Sequence, residues 1–455
     1  MNKELWEKTL QFDLDHPVSE YGFTTRLAHE NFWTKQFTES AIIEYKKFMY
    51  LAATSEFMVS PSEIVDTVWH QHLIFTQSYQ DFCDVLGKQV QHIPSTHNRN
   101  EFEKFRQAKE RTTKLYNSVF GEQPKDVWDY SDMYDSLELP KARLKIRSFI
   151  LLGILLFLIL LPPFYLLLKP VYADMETSTF FPAFISLTFF TLIFLEIYNG
   201  WYLKQCVNKI SKFSFIHHLS PSELIYLETQ KLSNVIHPTM NDLITNRVVK
   251  IQSDYTMEHT TELKVNTVEE HQLLDVLHHM GRTNYASLMK QLLTKHIFKN
   301  VSNCMDALKK YFIKSRTFGK LFYINSFALQ FLLLLGTVRL STGILRHKPV
   351  VYISVALIIL LAIIVAYLWR LTKLFCTKTI PQLYKNDIRP ETNDDNQWRY
   401  FFSGNAVMAV LFLPVVEKFN RANSNAFDGT TSACGSSCSS CGSSCGGCGG
   451  CGGGD

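Results

Sequence analysis

The stretch "RSFILLGILLFLILLPPFYLLLK", Arg147–Lys169, decides the architecture of this chain. Ser148 to Leu168 is 21 residues without a charge, enough to cross about 30 Å of hydrocarbon as one helix. Pro162–Pro163 should kink that helix, which a membrane span tolerates because neighbouring groups satisfy the freed carbonyls. After a short loop, Lys169–Ser178, a second such stretch follows, "TFFPAFISLTFFTLIFLEIYNGWYL" (Thr179–Leu203). "KLFYINSFALQFLLLLGTVRL" (Lys320–Leu340) is a third and "PVVYISVALIILLAIIVAYLWR" (Pro349–Arg370) a fourth. The third carries Asn325 and Gln330 and ends at Arg339. Four spans in two hairpins are therefore expected.

Lys and Arg near the spans set their orientation. Lys141, Arg143, Lys145 and Arg147 precede span one, and Lys204, Lys209 and Lys212 follow span two. Lys309, Lys310, Lys314, Arg316 and Lys320 precede span three, and Arg370, Lys373 and Lys378 follow span four. These outnumber Arg339, Arg346 and Lys348 on the opposite side. The expectation is a multi-pass protein of the cell membrane with both termini in the cytosol. "MNKELWEKTLQFDLDHP" has charges throughout and no apolar core, so no cleavable signal peptide is expected.

Away from the spans the apolar residues fall at helical spacing. "ESAIIEYKKFMYLAAT" (Glu39–Thr54) and "NEFEKFRQAKERTTKLYNSVFG" (Asn100–Gly121) read as amphipathic helices. "SPSE" at Ser60–Glu63 reads as a helix start: Ser60 caps, Pro61 takes the first helical position and Glu63 completes a capping box. The helix it opens should stop by Gly87, with a break near Thr76. A second "SPSE" at Ser220–Glu223 opens the segment between the hairpins. There, two helices followed by a hairpin in "NDLITNRVVKIQSDYTMEHTTELKVN" (Asn241–Asn266) give a winged-helix-like plan. That segment has no stripe of Arg, and the whole chain carries only +4, so nucleic acid is not a favoured partner. "FFSGNAVMAVLFLPVV" (Phe401–Val416) is uncharged but short for a span.

The expected fold is mostly α. A cytosolic helical domain occupies 1–147, a transmembrane hairpin 148–203, and a small cytosolic winged-helix-like α+β domain 204–317. A second hairpin covers 318–370 and a cytosolic segment 371–428, and a disordered Cys/Gly/Ser-rich tail covers 429–455.

That tail ends the chain as "TTSACGSSCSSCGSSCGGCGGCGGGD". Cys434, Cys438, Cys441, Cys445, Cys448 and Cys451 stand close enough for their thiolates to hold a soft or borderline ion, Zn²⁺ or Cu(I). Covalent attachment and a low-complexity tail without a dedicated ligand are the alternatives. The other four cysteines, Cys83, Cys206, Cys304 and Cys376, lie in separate segments and do not form a disulfide framework.

The densest cluster of chemistry-bearing residues is "EIVDTVWHQHLIFTQSYQDFC" (Glu63–Cys83). Its two histidines cannot chelate one ion from a regular helix, because His70 and His72 lie about 200° apart around the axis. His72 joins Val65, Trp69, Thr76 and Tyr79 on one stripe, a core face. His70 shares a face with Asp66, one turn away. A second imidazole, His92 or His97, could reach it from the loop after Gly87. Asp66, His70 and His92 are thus candidates for a metal site or for general-base chemistry, alongside a plain helix-stabilising Asp–His pair.

Two resemblances rest on specific pieces. Residues from about 20 to 130 resemble the glycine-rich domain-containing protein-like family of plants and bacteria, through "EYKKFMYLA", "SPSEIVDTVWHQHL", "TQSYQDFC", "HIPS" and "LYNSVFGEQPKDVW". "STHNRNEFEKF" departs from bacterial relatives, which tend to have Gly after the His-Pro element, and bears on the loop near His92. Residues from about 215 to 455 look like a bacterial membrane-protein family of unknown function. The likeness is carried by "SPSELIYLE", by "RLSTGILRHKPV" with Arg339, Gly343, Arg346 and Pro349, and by the Cys/Gly-rich tail. The resemblances imply a bacterial origin and the cell membrane, and no activity.

Few polar groups lie within the spans, which disfavours an ion-conducting transporter. The leading expectation is a membrane scaffold, sensor or metal/thiol-handling protein. It would have the lipid bilayer and unidentified proteins as partners. An enzyme using Asp66, His70 and His92 is the second hypothesis, and a membrane-tethered regulator that uses the 210–317 segment the third.

Overall fold

The computed structural model describes residues 2–17, 19–93, 99–260, 267–386 and 396–428. The Cys-rich tail and His97 lie outside them. The N-terminal domain contains α1 (Lys3–Gln11), α2 (Phe23–Asn31), α3 (Lys35–Thr54), α4 (Glu63–Ile74), α5 (Thr76–Leu86), α6 (Arg99–Phe120), α7 (Lys125–Trp128) and a 3₁₀ turn at Met133–Leu137. Helix α3 is its axle. Phe37, Ala41, Tyr45 and Phe48 recur at helical spacing and are fully buried, and the helix meets α1, α2, α4, α6 and α7. One carboxylate is buried with them. Glu44 accepts hydrogen bonds from Tyr116 (2.7 Å) and Trp128 Nε1 (2.7 Å) and from Lys47 Nζ (2.7 Å), so none of its charge is left unpaired.

The long run after the first "SPSE" does break, one residue before Thr76. Phe75 leaves the helical region, and its N–H turns back to the His72 carbonyl at 2.9 Å. Thr76, expected on the core stripe, is exposed because α5 restarts there in a new direction. Helix α5 ends on Gly87, whose φ of 70° is the left-handed cap glycine supplies without strain. The helix start differs from expectation: Ser62, not Ser60, is the cap, its Oγ accepting from Val65 N at 3.2 Å. Ser60 is held elsewhere. Its N–H donates to Thr112 Oγ1 at 2.8 Å and its carbonyl accepts from the same hydroxyl at 3.0 Å, tying the strap before α4 to α6.

The first hairpin is α8 (Ile146–Asp174) and α9 (Thr177–Lys209). Its loop is shorter than expected. Helix α8 continues through Pro162, Pro163 and Pro170, leaving only Met175 and Glu176 between the two. The middle domain holds α10 (Pro221–Thr229), α11 (Leu232–Thr245), β1 (Val249–Ile251), β2 (Thr256–His259), α12 (Val268–Met280), β3 (Thr283–Asn284), α13 (Tyr285–Leu292) and α14 (His296–Ile313). The sheet is antiparallel in the order β1-β2-β3, with Lys250 opposite Glu258. Two helices and a wing are present as expected, with a third short strand after α12.

The second hairpin is α15 (Arg316–Leu345) and α16 (Val351–Leu374). The fourth span runs on through a π-turn at Phe375–Thr379 into α17 (Ile380–Asn386), and α18 (Asn396–Ser403) and α19 (Leu413–Asp428) close the described chain. Among the described residues, four helices are long and apolar enough to cross a membrane. Among them α15 is central: half of its apolar window is buried, against 6% for α8. That position explains its polar residues. Asn325 and Asn199 of α9 exchange amide hydrogen bonds at 2.9 and 2.7 Å, and Asn199 also reaches Tyr367 of α16 at 3.0 Å. Satisfied this way, amides bind helices together in lipid. Arg339 donates to the carbonyls of Tyr172 and, at 2.9 Å, Met175, while Arg346 reaches Ala173. Two of the three cations that dissented in the charge count, Arg339 and Arg346, therefore cap the C-terminus of α8.

Phe401–Val416 is not a span. Phe412 and Val416 are fully buried, Phe412 packs on Tyr285 at 5.3 Å, and Ala409 N donates to Asn241 Oδ1 at 2.7 Å. One hydrophobic cluster runs through the N-terminal domain, the middle domain, this segment and the adjoining ends of the spans. The soluble parts thus sit together at one end of the bundle. Lys35 links two of them, its N–H to Glu223 Oε1 at 2.9 Å and its Nζ to Glu269 at 2.7 Å.

Candidate metal centre

Helix α4 turns its two histidines to different surroundings. His72 points inward and is fully buried. Tyr45 OH lies 2.8 Å from its Nδ1, and Ser78 Oγ lies 3.1 Å from its Nε2. Burial pushes its pKa down to about 4, so at neutral pH it is an uncharged core side chain with both nitrogens partnered.

The outer face carries Asp66 and His70. His70 Nε2 lies 3.4 Å from Asp66 Oδ2. His92 completes the group, its Nε2 3.0 Å from Asp66 Oδ1 and its ring 4.4 Å from that of His70. The chain is brought back by a clamp of core residues. Trp69 Nε1 donates to Tyr79 OH at 3.1 Å, and the Tyr79 hydroxyl donates to the Val90 carbonyl. Burial pushes the Tyr79 pKa up, which keeps that donor protonated. Two residues past Val90, His92 lands with its ring against the Trp69 indole, 4.6 Å away at 75°. Sequence reasoning placed Trp69 and Tyr79 in the core but missed that they position His92. The available signal was that buried Trp and Tyr must each find a hydrogen-bond partner.

One donor atom from each of Asp66, His70 and His92 falls within 4.8 Å of the other two. Around an ion with bonds of about 2.1 Å, neighbouring donors stand roughly 3.0 Å apart in octahedral and 3.4 Å apart in tetrahedral geometry. His92 stands 3.0 Å from Oδ1 and His70 3.4 Å from Oδ2, so each imidazole reaches a spacing of this order to a different oxygen of the one carboxylate. Two imidazoles and a carboxylate suit Zn²⁺ or another first-row divalent ion. The His92 side chain is 14% exposed and His70 53%, so the group opens to solvent on the His70 side. That leaves room for water or a further ligand. Without an ion, His92 Nε2 can donate a hydrogen bond to Asp66 Oδ1, while His70 Nε2 stands 3.4 Å from Oδ2.

The six tail cysteines lie outside the described residues. Cys83, Cys206, Cys304 and Cys376 are free thiols on separate elements, and none joins the Asp66 group.

A protein-family model described as UCP032817-like matches residues 22–116. That minority of the chain contains α2 to α5, the Trp69–Tyr79–Val90 clamp, and Asp66, His70 and His92. No curated protein and no solved structure matches the chain.

Proposed function

We propose that this chain is a metal-handling or metal-sensing protein of the cell membrane. Its N-terminal domain binds a divalent transition ion, Zn²⁺ in the first instance, through Asp66, His70 and His92. The observation that carries this reading is the return of His92 to Asp66 and His70, which brings one donor atom from each within 4.8 Å of the other two. The Trp69–Tyr79–Val90 clamp adds to it, because a built support fixes ligand orientation before metal arrives. Both termini are assigned to the cytosol. The Lys and Arg excess lies at the end of the bundle that carries the soluble domains, and Arg339 and Arg346 at the far end are engaged by α8 carbonyls. The resemblance to glycine-rich domain-containing proteins would place the N-terminal domain in that family, and the tail thiols would be a second, softer store of metal.

The test is metal retention by the purified full chain and by a chain ending at residue 429, under reducing conditions. Both should retain Zn²⁺ after dialysis, about one ion at the N-terminal centre. Only trace metal in the shortened chain would remove the reading.

A further inference from the structure

Where α9 and the extended fourth span leave the bundle, they part around a cavity of about 390 Å³. Its polar wall holds Lys204 and Asn208 of α9, Lys378 in the π-turn and Gln382 just beyond it. At its inner edge Glu196 is already engaged by Arg370 and lies 3.9 Å from Lys378. Three cations therefore face a single carboxylate. The π-turn is itself a sign: such widened turns concentrate where helices build sites.

Depth along the bundle says what this charge faces. Trp201 on α9 and Trp369 on α16 are both more than half exposed on the outer surface, the placement of the aromatic belt at a lipid headgroup layer. Exposed Phe194 and Ile197 continue the lipid-facing surface toward the membrane centre. Gly200 forms part of the wall, and a Cβ there would meet nothing within 4 Å. The space is thus open where any other residue would begin to fill it.

We propose that this cavity binds a phosphate group, that of an anionic phospholipid whose acyl chains descend along the Phe194–Ile197 face. Lys204 and Lys378 supply the charge, Asn208 and Gln382 supply amide donors, and Arg370 holds Glu196 away from the phosphate. Basic pockets between helices at the headgroup level take anionic lipids by this chemistry. The inference rests on the four-span reading and is independent of the metal centre.

Native mass spectrometry of the detergent-solubilised full chain tests it. The chain would be titrated with phosphatidylglycerol, with phosphatidylcholine, and with phosphatidylglycerol against millimolar inorganic phosphate. The wild type should bind phosphatidylglycerol in clear preference. Lys204→Gln and Lys378→Gln should each weaken that binding about fivefold. Gly200→Leu, which fills the space and keeps both lysines, should abolish the preference, and circular dichroism would check that each variant keeps its helices. Displacement of the lipid by inorganic phosphate would keep the phosphate site and make its source a free phosphate. Equal binding of the two lipids by the wild type, or an undiminished preference in Gly200→Leu, would overturn the proposal.

Discussion

His70 and His72 stand two residues apart on α4 and meet opposite environments. His72 is sealed in the core, with Tyr45 and Ser78 on its two nitrogens and a pKa held down to about 4. His70 is half exposed and shares Asp66 with His92. The helical repeat alone separates them, so one helix carries a structural histidine on its inner face and a ligand-type histidine on its outer face. The two faces should then respond oppositely to substitution, the inner in stability and the outer in metal binding.

The largest effect on stability belongs to the inner face. His72→Ala removes a buried ring and leaves the Tyr45 hydroxyl without a partner. It should cost about 3–5 kcal/mol, seen as a fall in the thermal midpoint of the solubilised full chain. The same histidine predicts a pH dependence. Its folded pKa lies below the unfolded value of about 6.5, so the unfolded state takes up the proton first. Its contribution is complete above pH 6.5 and is lost as pH falls toward 4. The loss reaches an order of 3 kcal/mol at pH 4. His237, also held down to about 4 by burial, adds to the slope in the same direction. His72→Gln should flatten the slope by its share, and an unchanged slope would show that His72 is not the buried neutral group described.

Tyr79→Phe lies between the two faces. It deletes the donor to the Val90 carbonyl and one partner of Trp69. A loss of about 1–2 kcal/mol in stability is expected. Metal affinity should also fall, by about 10- to 100-fold, because a supporting shell fixes its ligands. Stability lost without any change in affinity would make the clamp purely structural. The smallest stability effect is expected on the outer face, where in metal-free protein Asp66→Ala and His70→Ala should each move stability by no more than about 0.5 kcal/mol. A larger loss would turn the outer face into a structural one and erase the contrast.

Much of the architecture was legible because it follows from local rules. The four spans, the break before α5 and the split between His70 and His72 come from apolar length and from the 3.6-residue repeat. What was not legible depended on distant partners. The two "SPSE" tetrapeptides show this. Ser220 caps α10 in a full capping box with Glu223, whereas the same letters at Ser60 yield the cap to Ser62 because Thr112 of α6 holds the Ser60 backbone. Phe401–Val416 read as a short apolar stretch, and its docking through Phe412 on Tyr285 and Ala409 on Asn241 depends on that distant surface. At the candidate site, Asp66 and His70 were fixed by spacing. The approach of His92 was one option among several until the Trp69–Tyr79–Val90 clamp was known.

The most direct test of the account is Zn²⁺ retention by the chain shortened to residue 429, compared with the same chain carrying His92→Ala. The account predicts about one bound ion in the first and none above trace in the second, with both equally folded. Equal retention by the two, or none by either, would contradict it.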